Sequence, residues 1–429
     1  MVITHLRLKN FRLYEEFEAD FNEHVTVLVG ANGAGKTTIL DALAIAAGTF
    51  LAGLDGVSGR NIAQSDTMNV SYDMGASIDL QPRYPVEIEA SGILYDQTLT
   101  WMRSLNSTNG RTTKVQARDI YSVANDCLNR IRQGDKSLIL PIISYYGTGR
   151  LWAQKKNKRD TTLSRRSNRL LGYEDCLSAE SNEKLMLRWF EKATIKEFQN
   201  NGAGTDLLSV RKAVEECCQI LLGIKKIRIQ YNLDTKELDV VDRSQEGRAE
   251  RFPMHELSDG LRNTISMIAD IAYRMAVLNP QLDDPVKQTP GIALIDEIDL
   301  HLHPQWQQKI LEILTEIFPR VQFIVTTHAP AVIASVRKEN VLMLNHRSKY
   351  GIHPETEVYG SEAGTVLSGV MGTQDRPESV RKLFADCYAS IDAGDLEKAG
   401  NIVRQLEALI GELDPELTGI KTTIALEMM

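Results

Sequence analysis

Apolar and polar positions follow two rhythms along the chain. Val2–Leu8 and Phe17–Phe21 alternate with a period of two, as antiparallel hairpin strands do, whereas Val25–Val29 is a continuous apolar run typical of a buried strand. A Gly-rich turn follows, and Lys36–Ala47 has helical spacing with small residues. From Val86 to Lys114 short strand patterns and polar turns predict a small antiparallel sheet. Leu138–Tyr146 predicts another buried strand, Asn182–Asn200 and Leu207–Leu222 two amphipathic helices, and Lys226–Val241 a hairpin turning at Asp234. Leu257–Leu278 predicts a long helix. Two further buried strands, Gly291–Ile295 and Val321–Thr326, flank a helix at Gln305–Ile317, and Val341–Leu344 is a last strand. The tail from Glu378 to Leu413 predicts two helices broken at Ala393 and Gly394, with Asp395 as a cap. There is no internal repeat and no heptad run long enough for a coiled coil.

Composition changes this picture little. With 43% hydrophobic and 25% charged residues the chain reads as an ordinary globular protein. Its apolar runs are too short to cross a bilayer, so no membrane association is expected. The strand pattern begins at the N-terminus without a signal peptide, and the five cysteines contain no CxxC pair; both predict a reducing, cytoplasmic setting. A net charge of −8 argues against a surface that coats nucleic acid, so any such contact must be local.

The chemistry lies in four short segments. Gly30-Ala-Asn-Gly-Ala-Gly-Lys-Thr fits GxxxxGK[ST] between a buried strand and a helix. Its glycines let backbone N–H groups turn inward around a phosphate at a helix N-terminus, which makes Gly30, Asn32, Gly33, Gly35, Lys36, Thr37 and Thr38 the candidate nucleotide-binding residues. Lys36 is placed to reach the β- and γ-phosphates and Thr37 to offer a hydroxyl to Mg²⁺. Gly291–Glu297 is an apolar strand delivering two carboxylates, Asp296 for Mg²⁺ and Glu297 as the base that orients attacking water. Val325-Thr-Thr-His ends the next strand with His328, placed to hydrogen-bond a γ-phosphate. Leu257-Ser-Asp-Gly opens the long helix, and Ser258 with the amides near Gly260 forms an anion-binding start. A plain N-cap explains that serine equally well.

The order Asn10-Phe-Arg, phosphate loop, Leu-Ser-Asp-Gly, Asp-Glu and Thr-His-Ala-Pro resembles ABC-class ATPases of the SMC/RecF branch over most of the chain. The resemblance implies an α/β ATPase head with a mixed sheet around the phosphate loop and an antiparallel β subdomain. A short helical lid and C-terminal helices complete it, with no long coiled coil. It further implies ATP and Mg²⁺ as cofactors and two heads sandwiching two ATP molecules. Ser258 would then touch the γ-phosphate bound by the opposite subunit, and Arg12 would approach the nucleotide within its own. On this reading residues 1–150 are the first lobe, 151–250 a basic segment, helical insertion and hairpin, 251–375 the second lobe, and 376–429 a C-terminal helical hairpin. Two positions depart from the family: Tyr146 stands where the Q-loop glutamine falls, and the D-loop aspartate falls near His303.

Three stretches, Tyr145–Trp152, Asp299–Pro304 and Gly372–Pro377, are similar to prokaryotic anti-phage ATPases of the Septu type. That similarity implies an HNH-type nuclease partner and assembly beyond a dimer; a RecF-like repair ATPase binding DNA directly is the alternative. The chain is not itself expected to be a nuclease, because the tail offers only Asp392 and Asp395 between helices, not the acidic cluster on strands that a Toprim domain needs. The apolar stripes of the last helices fit either a self-covered hairpin or a docking surface. Across 150–169, Lys155, Lys156, Lys158, Arg159, Arg165, Arg166 and Arg169 form a basic stretch, either a solvated loop or a DNA contact. His301 and His303 lack further ligands at zinc spacing.

Overall fold

The continuous apolar runs pair with one another. In a computed structural model of the chain, β3 (Val25–Val29), β8 (Ile142–Tyr146), β12 (Gly291–Ile295), β13 (Val321–Thr326) and β14 (Val341–Met343) form one parallel sheet in the order β14-β3-β13-β12-β8. The structure describes residues 1–74, 78–151, 168–178, 183–200, 202, 204–245, 248–346, 348–374 and 376–427. Parallel strands are covered on both faces, and for that reason these runs lack alternation. Helix α1 (Lys36–Leu51) packs against β8, β12 and β13.

The alternating segments form a second sheet. β1 (Val2–Phe11), β2 (Tyr14–Asp20), β6 (Val86–Leu94) and β7 (Gln97–Leu105) are antiparallel in the order β2-β1-β6-β7, and the buried Leu6, Leu8, Ile88 and Ala90 share the face that α1 covers. β4 (Asn69–Asp73) and β5 (Ile78–Pro82) make a two-stranded ribbon, and β9 (Ile227–Asn232), β10 (Glu237–Gln245) and β11 (Arg248–Pro253) a three-stranded sheet. The remaining helices of this part are α2 (Arg118–Arg132), α3 (Glu183–Gln199), α4 (Thr205–Leu222), α5 (Asp259–Leu278), α6 (Pro285–Gln288), α7 (Pro304–Gln307), α8 (Ile310–Ile317) and α9 (Pro330–Ile333), followed by α10 (Ala363–Gly369). The result is a mixed α/β fold with a parallel sheet around the phosphate loop, an antiparallel subdomain and, among the described residues, no long coiled coil.

Two expectations change. The single helix expected at Gln305–Ile317 is split at Gln308 and Lys309, because Pro304 opens a separate turn capped by His303, and the Trp306 indole anchors that turn to the Leu221 carbonyl at 2.9 Å. The tail holds a third helix, α13 (Pro415–Glu427), beyond α11 (Glu378–Asp392) and α12 (Leu396–Ile410). Residues Leu367–Met429 form a compact unit separate from Met1–Val366. Within it Leu417, Ile420 and Ile424 of α13 close a core with Phe384, Cys387, Ala399 and Leu406. Most of the apolar stripes of the last helices is thus covered by their own unit, while Tyr388 and Leu413 stay exposed. Asp395 caps α12, accepting from Lys398 N at 3.1 Å.

Candidate functional site

The parallel order brings the ends of β3, β8, β12 and β13 to one edge of the sheet, the place where open α/β sheets bind ligands. The turn Gly30–Gly35 leaves β3 and enters α1. Gly33 and Gly35 adopt the left-handed φ values of 79° and 98°. At Gly35 a Cβ would lie 2.5 Å from the Tyr14 hydroxyl, which itself donates to the Ala34 carbonyl at 2.7 Å. Tyr14 of β2 therefore braces the loop from beneath. Lys36 Nζ donates to the Gly30 and Ala31 carbonyls at 2.8 and 3.2 Å, folding the ammonium back over its own loop. Burial lowers the Lys36 pKa while Asp296, Glu297 and Asp299 act in the opposite direction.

The carboxylates at the end of β12 are fixed by three threonines. Asp296 accepts from Thr37 Oγ1 at 2.9 Å and from Thr326 Oγ1 at 2.6 Å, and is buried. Thr326 Oγ1 in turn accepts the Glu297 amide at 2.7 Å. Glu297 has a φ of 48°, a left-handed backbone costing a non-glycine residue about 1 kcal/mol. Such strain is found where the surroundings over-determine a side chain's direction. Asp299 accepts from Thr327 Oγ1 at 2.6 Å, tying the segment after Glu297 to the residue before His328. His328 is half-buried, and its pKa is lowered by burial first and by Lys36 second. Lys36, Asp296, Glu297, Asp299 and His328 thus share one electrostatic site assembled from three strand ends.

Ser258 and Gly260 stand apart from this group. Ser258 occupies the N-cap of α5, yet its side chain makes no capping hydrogen bond and is exposed. The plain N-cap explanation therefore lacks the bond it requires. Among the described residues no hydrogen bond joins Ser258 to the phosphate loop. At Gly260 a Cβ would lie 2.1 Å from the His301 carbonyl, so only glycine lets α5 begin against the segment that follows Glu297. His303 lies edge-on to Trp306, with ring centroids 6.2 Å apart.

Arg12 is tied to its own fold. Its guanidinium pairs with Asp41 of α1 at 2.6 Å and with Asp66 at 2.8 Å, while Arg60 takes the other Asp41 oxygen at 2.8 Å. Tyr146 is engaged with α5, its hydroxyl donating to Asp270 Oδ2 at 2.8 Å. Of the basic stretch, Lys155, Lys156, Lys158, Arg159, Arg165 and Arg166 lie outside the described residues, as does the side chain of Arg150. Arg169 is half-buried and tied down: its guanidinium donates to the Leu278 and Leu138 carbonyls at 2.7 Å each, as a structural clamp. Sequence reading missed Tyr14, Asp41, Arg60 and Asp270. For Asp270 a signal existed, the i,i+4 spacing to Arg274 on one helix face.

The family model described as AAA domain matches residues 5–254. The chain belongs to this AAA-domain family. It is an ATPase of the ABC/SMC–RecF class. The retron Ec83 probable ATPase of Escherichia coli is 27% identical, over 92% of this chain and 82% of its own. The Septu protein PtuA of Bacillus thuringiensis is 23% identical over 99% and 98%. A short match, 49% identical over 43 residues and 10% of this chain, reaches the DNA replication and repair protein RecF of Roseiflexus castenholzii, covering 11% of it. Among solved structures, the SMC head domain from Thermotoga maritima is 15% identical with a TM-score of 0.44, covering 83% of this chain and 100% of that one. The span 5–254 contains Arg12 and the whole phosphate loop of this AAA-domain protein and stops before Ser258, Asp296, Glu297 and His328. Among the described residues no helix is long and apolar enough to cross a membrane.

Proposed function

We propose that two copies of this chain sandwich ATP, hydrolyse it slowly, and through that cycle of assembly control a partner nuclease, of HNH type, in anti-phage defence. The observation that carries the two-copy reading is Ser258: an exposed serine at the start of a 20-residue helix, with an unused hydroxyl beside backbone amides, is half of an anion site. The other half is the phosphate loop of a second copy. The similarity to a retron ATPase over most of both chains, and to a Septu protein over nearly all of both, supports the defence setting. The RecF-like alternative, direct DNA binding, has the shorter match, and the basic residues it needs lie outside the described set.

The chain's own residues divide the chemistry. Lys36 leaves the Gly30 and Ala31 carbonyls for the phosphates, exchanging neutral acceptors for charged ones. The Thr37 hydroxyl and the Asp296 carboxylate are hard oxygen donors held 2.9 Å apart, which suits Mg²⁺. When bound there, magnesium neutralises charge on the β- and γ-phosphates. Glu297, its amide held by Thr326, orients the attacking water and accepts its proton. His328, whose pKa burial and Lys36 lower before the nucleotide is bound, hydrogen-bonds the γ-phosphate. Co-purification tests the partner: a nuclease encoded beside this chain should be retained with ATP and released by Ser258→Arg. Retention that ignores both ATP and Ser258 would remove the switch.

A further inference from the structure

We propose that Tyr146 is a positioning residue that links the start of α5 to the catalytic edge of β12, so that occupancy at Ser258 is felt at Asp296 and Glu297 of the same copy. The inference rests on the two-copy reading above and adds a route inside one copy. Five hydrogen bonds make the chain of contacts. Tyr146 pairs with Ile295 in register, and its carbonyl accepts the Asp296 amide at 2.8 Å. Its hydroxyl donates to Asp270 Oδ2 at 2.8 Å. Arg274, one turn further along α5, donates through Nε to the same oxygen at 2.7 Å. The Arg274 guanidinium is buried and is itself held by the Gly172 and Glu174 carbonyls at 3.0 and 2.8 Å. One residue therefore holds the aspartate that precedes the base with its backbone, and α5 with its side chain.

The arrangement suits transmission better than simple stapling. Ser258 and Asp270 lie on one uninterrupted helix, about 18 Å apart at ~1.5 Å per residue, so a push at the N-terminus reaches Asp270 as a rigid displacement. Both donors converge on Oδ2, and Oδ1 of Asp270 is buried without a hydrogen-bond partner. An empty second acceptor lets the carboxylate exchange oxygens as α5 shifts, without breaking its pairing to Arg274. Tyr146 keeps its proton throughout, because burial and the neighbouring Asp270 raise its pKa well above the ordinary phenol value. A phenol that stays neutral remains a donor in both positions.

A double-mutant cycle between Tyr146→Phe and Ser258→Ala tests the link, since residues joined by one network fail to add. Tyr146→Phe should lower kcat about 2- to 30-fold, with KM and the melting temperature near wild type. The double variant should then be no slower than the slower single one. Multiplying losses, or wild-type kcat for Tyr146→Phe, would overturn the link. If Tyr146→Phe folds poorly, Asp270→Asn replaces it in the same cycle with the same criteria. Should Ser258→Ala alone leave turnover and ATP-dependent assembly unchanged, the two-copy reading falls and this inference with it. A slow Ser258→Ala with independent losses overturns only the link.

Discussion

The Thr37 hydroxyl lies 2.9 Å from Asp296 Oδ2, across 259 positions of the chain. That bond joins the phosphate loop to the carboxylate strand.

Asp296→Asn removes a charge from the Thr37–Asp296–Thr326 chain while keeping its shape. Turnover is expected to fall by about two orders of magnitude, and the magnesium concentration for half-maximal activity to rise. A magnesium titration of steady-state ATPase activity measures both. The fold should survive, because the asparagine carbonyl still accepts from Thr326 while its amide NH2 donates to the Thr37 hydroxyl instead of accepting from it.

Lys36→Ala takes away the only side chain that folds back onto the Gly30 and Ala31 carbonyls among the described residues. ATP affinity should drop by about two orders of magnitude or more, since charge-assisted bonds to two phosphates are lost. Calorimetric titration reads this directly. Undiminished binding would mean that the loop is not the nucleotide site.

Much of this site was legible in the sequence, and the reason is local. Gly30–Thr37 declares itself because backbone amides, not distant side chains, make the cradle, and Asp296 and Glu297 end a run apolar enough to be a buried parallel strand. The missed parts depend on tertiary partners. α13 has threonines and a glycine in poor helix-forming order, and Leu417, Ile420 and Ile424 gain meaning only against α11 and α12. Tyr146 stood where the Q-loop glutamine falls, but the direction of its hydroxyl is set by Asp270, 124 positions away. Arg12 carried no sign of its pairing with Asp41 and Asp66, because neither adjoins it in sequence.

Gly260→Ala forces a Cβ to within 2.1 Å of the His301 carbonyl, backbone that has no flexible end to move aside. The start of α5 must shift relative to the segment after Glu297. ATP binding to a single copy should stay within about twofold, while turnover falls about 100-fold, the scale of an ångström's misplacement in an active site. Comparable binding and hydrolysis losses would place Gly260 in the phosphate loop's own chemistry instead.

His328 gives a pH signature. Its folded pKa lies below the ordinary 6.5, chiefly through burial, so the unfolded chain binds a proton that the folded chain resists. Stability attributable to this group is unchanged above 6.5, declines as pH falls below it, and levels off once the folded pKa is passed. ATP, bringing negative charge beside the ring, should raise the pKa and cause proton uptake near pH 6.5. Calorimetry in two buffers of different ionisation enthalpy detects that uptake, and His328→Asn should abolish it.

On the proposed reading ATP completes a site shared by two copies, and Glu297 is the base that ends the shared state. Light scattering of Glu297→Gln protein, with and without ATP, tests it most directly. Without the base, hydrolysis should slow by about two orders of magnitude or more while every phosphate ligand remains. The mass should then shift from monomer to a stable dimer on adding ATP, and Ser258→Arg in the same background should prevent the shift. A Glu297→Gln protein that stays monomeric with ATP bound, or that turns over like wild type, would contradict the account.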